Sequence, residues 1–114
     1  MTAVQTVEQF EFHQTLESTP GTSIIMFSSG ECQSCRYWEQ LLDQFCDKHD
    51  DINVFKIDAG IDQALTEEFD VFHLPSLFLY LDGQYHSALQ CEAKLDTLEN
   101  AIKTAKASPA EEMP

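Results

Sequence analysis

Two cysteines separated by two residues, Cys32 and Cys35, are the side chains of this chain best suited by type and spacing to do chemistry. Thiols at this spacing can close a small disulfide ring and open it again, which transfers two electrons. The thiolate is the reactive form, and a helix N-terminus lowers a cysteine pKa to about 3.5–7.5 because its N–H groups and dipole favour negative charge. Such a pair at a helix start predicts a redox site.

The residues around the pair predict such a helix start. Residues 23–28 read as a short buried strand, residues 29–31 as a turn, and the chain from Cys32 to about His49 as an amphipathic helix. The apolar positions of this helix recur at helical spacing: Trp38, Leu41, Leu42, Phe45 and Cys46. Cys32 then lies at the helix N-terminus, and Cys35 follows one turn later on the same side.

Two other interpretations of the pair are a zinc site and a structural disulfide. Zinc sites commonly take four ligands from two such pairs, whereas Cys46 and Cys91 are unpaired in sequence. The histidines are scattered over positions 13, 49, 73 and 86, so we predict no metal. Structural disulfides belong to oxidising compartments and loop-rich scaffolds. The redox interpretation is therefore preferred over both.

The length of 114 residues predicts one domain, over residues 1–107, followed by a flexible C-terminal tail at 108–114. No run reaches the ~20 apolar residues of a membrane span, and residues 1–30 lack the pattern of a secretory leader. We therefore expect a cytoplasmic protein, in which a disulfide is transient and catalytic rather than structural.

Twenty acidic and six basic side chains give a formal net charge of −14. Nucleic acids and anionic membranes are poor partners for this composition, because both attract clustered lysine and arginine. The acidity either keeps a small protein in solution or selects a basic partner surface around a target disulfide. The sequence leaves both explanations open.

The remaining elements predict an α/β fold. A capping-box spacing of Thr6 and Gln9 predicts a first helix that begins there, with Val7 and Phe10 facing inward. A second core strand is predicted at 52–58, a short helix at 61–69, and a hairpin of strands 75–81 and 84–89 around Asp82-Gly83. A last helix begins near Leu95. Strands that alternate with helices and end in a hairpin predict a central mixed sheet with helices on both faces.

Over residues 4 to 107 the sequence resembles the thioredoxin superfamily. Four features carry the resemblance: the strand–turn–Cys32-Gln33-Ser34-Cys35–helix unit, Lys56 in the next core strand, Leu74-Pro75-Ser76 before the hairpin, and Asp82-Gly83 at its tip. The resemblance implies a thioredoxin-like fold and a cis peptide bond at Pro75, which lies against the redox pair. It also implies that Cys32 attacks, that Cys35 resolves, and that Leu74 and Pro75 bind an extended substrate segment.

The chain departs from the family pattern beside the site, where thioredoxins usually carry Trp-Cys-Gly-Pro-Cys. Glu31 precedes Cys32 and should raise the Cys32 pKa, whereas Arg36 should lower it. Met26 stands where the family has a buried aspartate that helps to move the proton of the resolving cysteine. Lys56 thereby loses its expected partner and is either a tuning residue or a solvated lysine.

Three further residues have two interpretations each. Cys46 lies on the apolar stripe of its helix and is a buried small hydrophobe rather than a reactive thiol. Cys91 either ends the hairpin as a buried residue or acts as a third redox-responsive thiol. His73 either tunes thiolate formation near neutral pH or is an exposed loop residue.

The sequence therefore predicts a thiol–disulfide oxidoreductase that reduces protein disulfides and needs no bound cofactor, because the two sulfur atoms carry the electrons. Its electron donor would be a reductase or a small thiol, and the protein is expected to be a monomer. The alternative is a binding or adaptor module whose redox pair is regulatory or vestigial. A glutathione-dependent enzyme is a weaker third hypothesis, because no basic pocket for the tripeptide carboxylates is evident.

Overall fold

The computed structural model describes residues 4–114, so the first three residues of the predicted domain lie outside it. The elements run in the order β1 (Val4–Thr6), α1 (Phe12–Glu17), β2 (Thr22–Ser28), α2 (Gln33–Lys48), β3 (Ile52–Asp58), α3 (Gln63–Glu68), β4 (Ser76–Leu81), β5 (Gln84–Leu89) and α4 (Leu95–Lys106). The sheet order is β1-β3-β2-β4-β5. β1, β3 and β2 are parallel, and β4 and β5 are antiparallel to their neighbours. The predicted mixed sheet is confirmed.

The central strand β2 is buried along its whole length, and its side chains alternate between two hydrophobic cores. Ile24 and Met26 pack with the apolar faces of α2 and α4. Ile25 and Phe27 pack with α1, α3 and a group of aromatic rings. Helices therefore cover both faces of the sheet, as predicted, and each core depends on the same strand.

The first element differs from the prediction. Residues 4–6 form a strand that pairs in parallel with residues 54–56 of β3, and α1 begins only at Phe12. The side chain of Gln9 does not cap a helix at Thr6, since its Oε1 accepts hydrogen bonds from the N–H groups of Ala64 and Leu65 in α3. Phe10, predicted to face inward, is 88 % exposed. The capping pattern of Thr6 and Gln9 does not start a helix, because residues 4–6 pair instead with the open edge of β3.

The predicted hairpin is confirmed in detail. Asp82 and Gly83 both have positive φ, at 51° and 81°, which is the backbone that a two-residue turn matching the strand twist requires. The tip is fixed to the turn before β2 by two hydrogen bonds of 2.8 Å. The Asp82 N–H donates to the Gly21 carbonyl, and the Gly21 N–H donates to the Asp82 carboxylate.

Within residues 4–114, none of the helices has the length and hydropathy needed to cross a bilayer. After α4, residues 107–114 continue without helix or strand, and the main-chain N–H of Glu111 donates to the carbonyl of His86 in β5. The flexibility predicted for residues 108–114 stays a prediction.

Candidate functional site

Cys32 is the N-cap residue of α2. Its backbone is extended, with φ −90° and ψ 112°, and its Sγ accepts a hydrogen bond from the Cys35 N–H at 3.1 Å. The Ser34 hydroxyl lies 3.4 Å from the same sulfur. β2 ends at Ser28 and α2 begins at Gln33, so the strand and the helix fix the turn between them. A thiolate at Cys32 would meet unpaired helix N–H groups and the positive end of the helix dipole.

Cys32 and Cys35 form a disulfide, with their Cα atoms 5.1 Å apart. Their environments differ: Cys32 is partly exposed, whereas Cys35 is 2 % exposed and faces the interior. An approaching molecule can therefore reach the Cys32 sulfur far more easily than the Cys35 sulfur. This asymmetry suits a pair in which one thiol attacks and the other resolves.

Pro75 directly precedes β4, the strand that pairs with β2. Phe27 of β2 lies opposite Ser76 of β4, which places the preceding residues beside the turn that carries Cys32. The Leu74–Pro75 peptide bond is cis. His73 is exposed, and its carbonyl accepts a hydrogen bond from the Ser76 hydroxyl. Leu74 and Pro75 are both partly exposed, and their role in binding an extended segment stays a prediction.

Arg36 and Glu31 flank the pair on the exposed side. The Arg36 guanidinium donates to the carbonyl of Gly30 at 2.9 Å, which ties the first turn of α2 to the preceding loop. Glu31 is exposed in that loop. The effects predicted for both residues on the Cys32 pKa stay predictions.

Met26 is fully buried beneath α2, and its register neighbour in β3 is Lys56. Lys56 nevertheless has an acidic partner: its Nζ lies 2.7 Å from Oε1 of Glu39. Glu39 follows Cys35 by four residues, so both lie on the same side of α2. Glu39 is not among the site residues predicted from the sequence, although its spacing from Cys35 was a usable signal.

The two remaining cysteines are free thiols with raised pKa values. Burial, aided by the charges of Asp43 and Asp47, raises the pKa of Cys46, which lies in the core as expected. Burial also raises the pKa of Cys91, a hydrogen bond with Thr97 opposes this, and the charge of Glu92 adds to it. Both thiols are therefore poorer nucleophiles at neutral pH than an ordinary cysteine.

A groove of about 580 Å³ extends from Pro75 and brings together residues that lie far apart in the sequence. Trp38, His73, Pro75 and Cys91 line it. The sequence analysis assigned Trp38 to the core alone. Within residues 4–114, no three His, Cys, Asp or Glu side chains are grouped so that they could hold a metal ion.

Comparison with known proteins gives one family. The family model described as Thioredoxin matches residues 3–104. A thioredoxin H-type from Brassica oleracea is 31 % identical over 80 residues, which cover 70 % of this chain and 58 % of that protein. Thioredoxin H2 from Arabidopsis thaliana is 27 % identical over 99 residues, which cover 87 % of this chain and 73 % of the relative. The chain thus spans less than two thirds of the length of the first of these relatives.

Solved structures share the fold. A mutant thioredoxin from Halobacterium salinarum superposes with a TM-score of 0.77 at 24 % identity, over 98 % of this chain and 95 % of that chain. The thioredoxin NaTrxh from Nicotiana alata has the same TM-score at 20 % identity, over 91 % and 93 % of the two chains. The arrangement of strands and helices described above is therefore shared with both.

Proposed function

The chain belongs to the thioredoxin family, and we propose that it is a thiol–disulfide oxidoreductase that reduces protein disulfides through Cys32 and Cys35. The observation that carries the proposal is the asymmetric pair at the start of α2. Cys32 is partly exposed and caps the helix, and the buried Cys35 is already within disulfide-bonding reach of it.

In the first step the Cys32 thiolate attacks one sulfur of the substrate disulfide. A new bond forms between Cys32 and that sulfur, and the other substrate sulfur leaves as a thiolate, which takes a proton from water. The α2 N-terminus stabilises the attacking thiolate. The backbone beside Pro75 holds the substrate segment, and the groove past Trp38 and His73 accommodates its side chains.

In the second step Cys35 loses its proton and attacks the Cys32 sulfur of the mixed disulfide. The Cys32–Cys35 disulfide forms, and the second substrate sulfur leaves as a thiol, so the substrate has gained two electrons. An external donor, either a reductase or a small thiol, must then reduce the pair. Lys56 and Glu39 lie on the Cys35 side of α2 and are candidates to tune the proton transfer.

The setting of this activity is also part of the proposal. We take protein disulfides as substrates, the cytoplasm as the location and a monomer as the working form. The net charge of −14 disfavours nucleic acids and anionic membranes as partners. Substrates are expected to be fewer than those of a general thioredoxin, because Gln33 and Ser34 replace the usual pair between the cysteines.

A second candidate function is a binding or adaptor module with a regulatory redox pair. Met26 favours it, because a fully buried methionine cannot accept a proton from Cys35. The two functions differ in one measurement. Turnover on a model protein disulfide, with a reduction potential close to cytosolic dithiol pools, supports the enzyme. An ordinary Cys32 pKa without turnover supports the module.

Trapping tests the mechanism directly. The Cys35→Ser variant removes the resolving thiol and should accumulate mixed disulfides with substrate proteins through Cys32. The Cys32→Ser variant should accumulate none, because Cys35 is buried. Cys91→Ser in each background is the control for the free thiol at the groove. Equal trapping by both single variants would contradict the assignment of Cys32 as the nucleophile.

A further inference from the structure

Glu111 binds the outer edge of β5 through two hydrogen bonds. Its main-chain N–H donates to the carbonyl of His86 at 2.7 Å, and its carboxylate accepts from the N–H of Ala88 at 3.3 Å. β5 is the last strand of the sheet, so this edge would otherwise present unpaired backbone groups. His86 and Ala88 are two residues apart, which is the spacing of groups on one edge of a strand.

The same segment forms part of the groove that extends from Pro75. Glu111, Glu112 and Pro114 line one side of it, and His73 and Pro75 also line it. Glu111, Glu112 and Pro114 therefore form part of the wall of the groove that also contains Pro75, where the substrate segment has been assigned.

We propose that residues 109–114 form a strap, docked on β5 through Glu111, that narrows the substrate groove and discriminates against bulky protein disulfides. The proposal rests on the function proposed above for Cys32 and Cys35. Small disulfides reach the partly exposed Cys32 without entering the groove, so the strap leaves their reduction unaffected. A protein segment must lie along Pro75 and needs the strap displaced.

The size of the effect follows from the docking equilibrium. We assume that only the undocked form accepts a large substrate. The apparent affinity for that substrate is then the intrinsic affinity multiplied by the fraction of molecules that are undocked. Two hydrogen bonds hold the strap, and the one to Ala88 is exposed and long, so we take the low end of their net contribution to stability. Releasing the strap should then raise kcat/KM for a protein disulfide by about fivefold.

The Glu111→Pro variant removes both contacts, because proline has no N–H and no carboxylate. Glu111→Gln is the matched control, since it removes the charge and keeps a backbone donor and a side-chain acceptor. We expect Glu111→Pro to reduce insulin about fivefold faster than Glu111→Gln, and both variants to reduce hydroxyethyl disulfide at equal rates. Equal insulin rates for the two variants would overturn the proposal.

Alkylation of Cys91 tests the strap without turnover. In the oxidised protein Cys32 and Cys35 are bonded and Cys46 is buried, so Cys91 in the groove is the accessible free thiol. A polyethylene-glycol maleimide should label Cys91 faster in Glu111→Pro than in Glu111→Gln, and iodoacetamide should label both alike. If no variant reduces insulin, the proposed function fails, and the maleimide rates still decide on the strap. Equal maleimide rates would show that residues 109–114 do not cover the groove.

Discussion

At the scale of single residues, Cys32 and Cys35 differ because α2 begins directly after Cys32. Cys32 caps α2 and meets its N–H groups, while Cys35 enters the core one turn later. Cys46 and Cys91 carry the same thiol group in other parts of the fold, and burial raises the pKa of each. Position relative to a helix terminus is therefore the physical basis of the reactivity that we propose for Cys32.

The four cysteines should differ in their rates of alkylation. In the reduced protein, iodoacetamide at about pH 7 should modify Cys32 first, because its thiolate is stabilised and its sulfur is reachable. Cys91 should react appreciably only as the pH rises, because its raised pKa keeps the thiol protonated. Peptide mass spectrometry over time gives the order. Faster labelling of Cys46 or Cys91 at neutral pH would refute the assignment of the nucleophile.

Met26→Asp should lower the stability and accelerate disulfide reduction at neutral pH. The site is fully buried, so an unpaired carboxylate there costs about 1–3 kcal/mol or more. Lys56 offsets part of this cost, although it is already paired with Glu39. The new acid could accept the Cys35 proton, which a methionine cannot do. Stopped-flow reduction of a protein disulfide, run beside urea unfolding, measures both effects.

Met26→Leu is the control for that experiment, since it conserves volume without adding an acid and should cost less than about 1.5 kcal/mol. A lower stability with an unchanged rate in Met26→Asp would mean that the position serves only the core. The adaptor function would then be favoured over the enzyme.

At the scale of elements, the hairpin tip depends on a glycine for two reasons. Gly83 has φ 81°, and a Cβ atom there would lie 2.7 Å from the Glu17 carbonyl oxygen and 2.9 Å from that of Leu16. We therefore expect Gly83→Ala to destabilise the fold by about 2 kcal/mol or more. Gly30→Ala, where a Cβ would meet nothing within 4 Å, should change stability far less. Urea unfolding of the two variants compares them, and equal midpoints would refute the argument.

The end of α2 is joined to α4 by a charge cluster on Glu99. Its carboxylate lies 2.6 Å from Nε2 of His49 and 2.9 Å from Nζ of Lys48, and these contacts, His49 first, lower the pKa of Glu99. A lowered folded pKa means that the folded state binds fewer protons. The stabilisation is therefore present above the ordinary glutamate pKa and is lost as the pH falls through the folded value.

Glu99→Gln should accordingly lower the melting temperature at about pH 6–7. Below about pH 4.5 the melting temperature of this variant should fall less with pH than that of the unchanged protein. Glu92→Gln is the control, because its pair with Lys94 is highly exposed and such pairs contribute little. Thermal unfolding between about pH 3 and pH 7 measures both variants. Parallel curves for Glu99→Gln and the unchanged protein would contradict a role for this carboxylate.

At the scale of the whole molecule, the charge of −14 should select partners by their sign. Added salt screens long-range attraction, with a Debye length of about 10 Å at 0.1 M. The second-order rate constant for reduction of a basic protein disulfide should therefore fall as ionic strength rises. The rate constant for reduction of an acidic protein disulfide should rise as ionic strength rises. Stopped-flow rates at about 0.02 M and 0.3 M salt decide, and equal slopes would mean that the acidity serves solubility alone.

Several features of this fold are encoded by short stretches of chain. Cys32 and Cys35 at a strand–helix junction, the Asp82-Gly83 hairpin and the apolar stripe of α2 each follow from neighbouring residues. Side-chain periodicity and turn chemistry act within a few positions, so they can be read without knowing what packs against them. The mixed sheet with helices on both faces followed from the order of these elements.

Contacts between distant stretches of chain depend instead on how the helices and strands pack. β1 forms because it pairs with the open edge of β3. The Gln9 side chain caps α3 and does not cap a helix that begins at Thr6. The packing of α2 on the sheet brings Glu39 to Lys56. The position of β5 at the edge of the sheet allows Glu111 to bind it. Each partner is 17 or more residues away in sequence. Tertiary contacts routinely override local propensities, so these assignments could not be read from the chain alone.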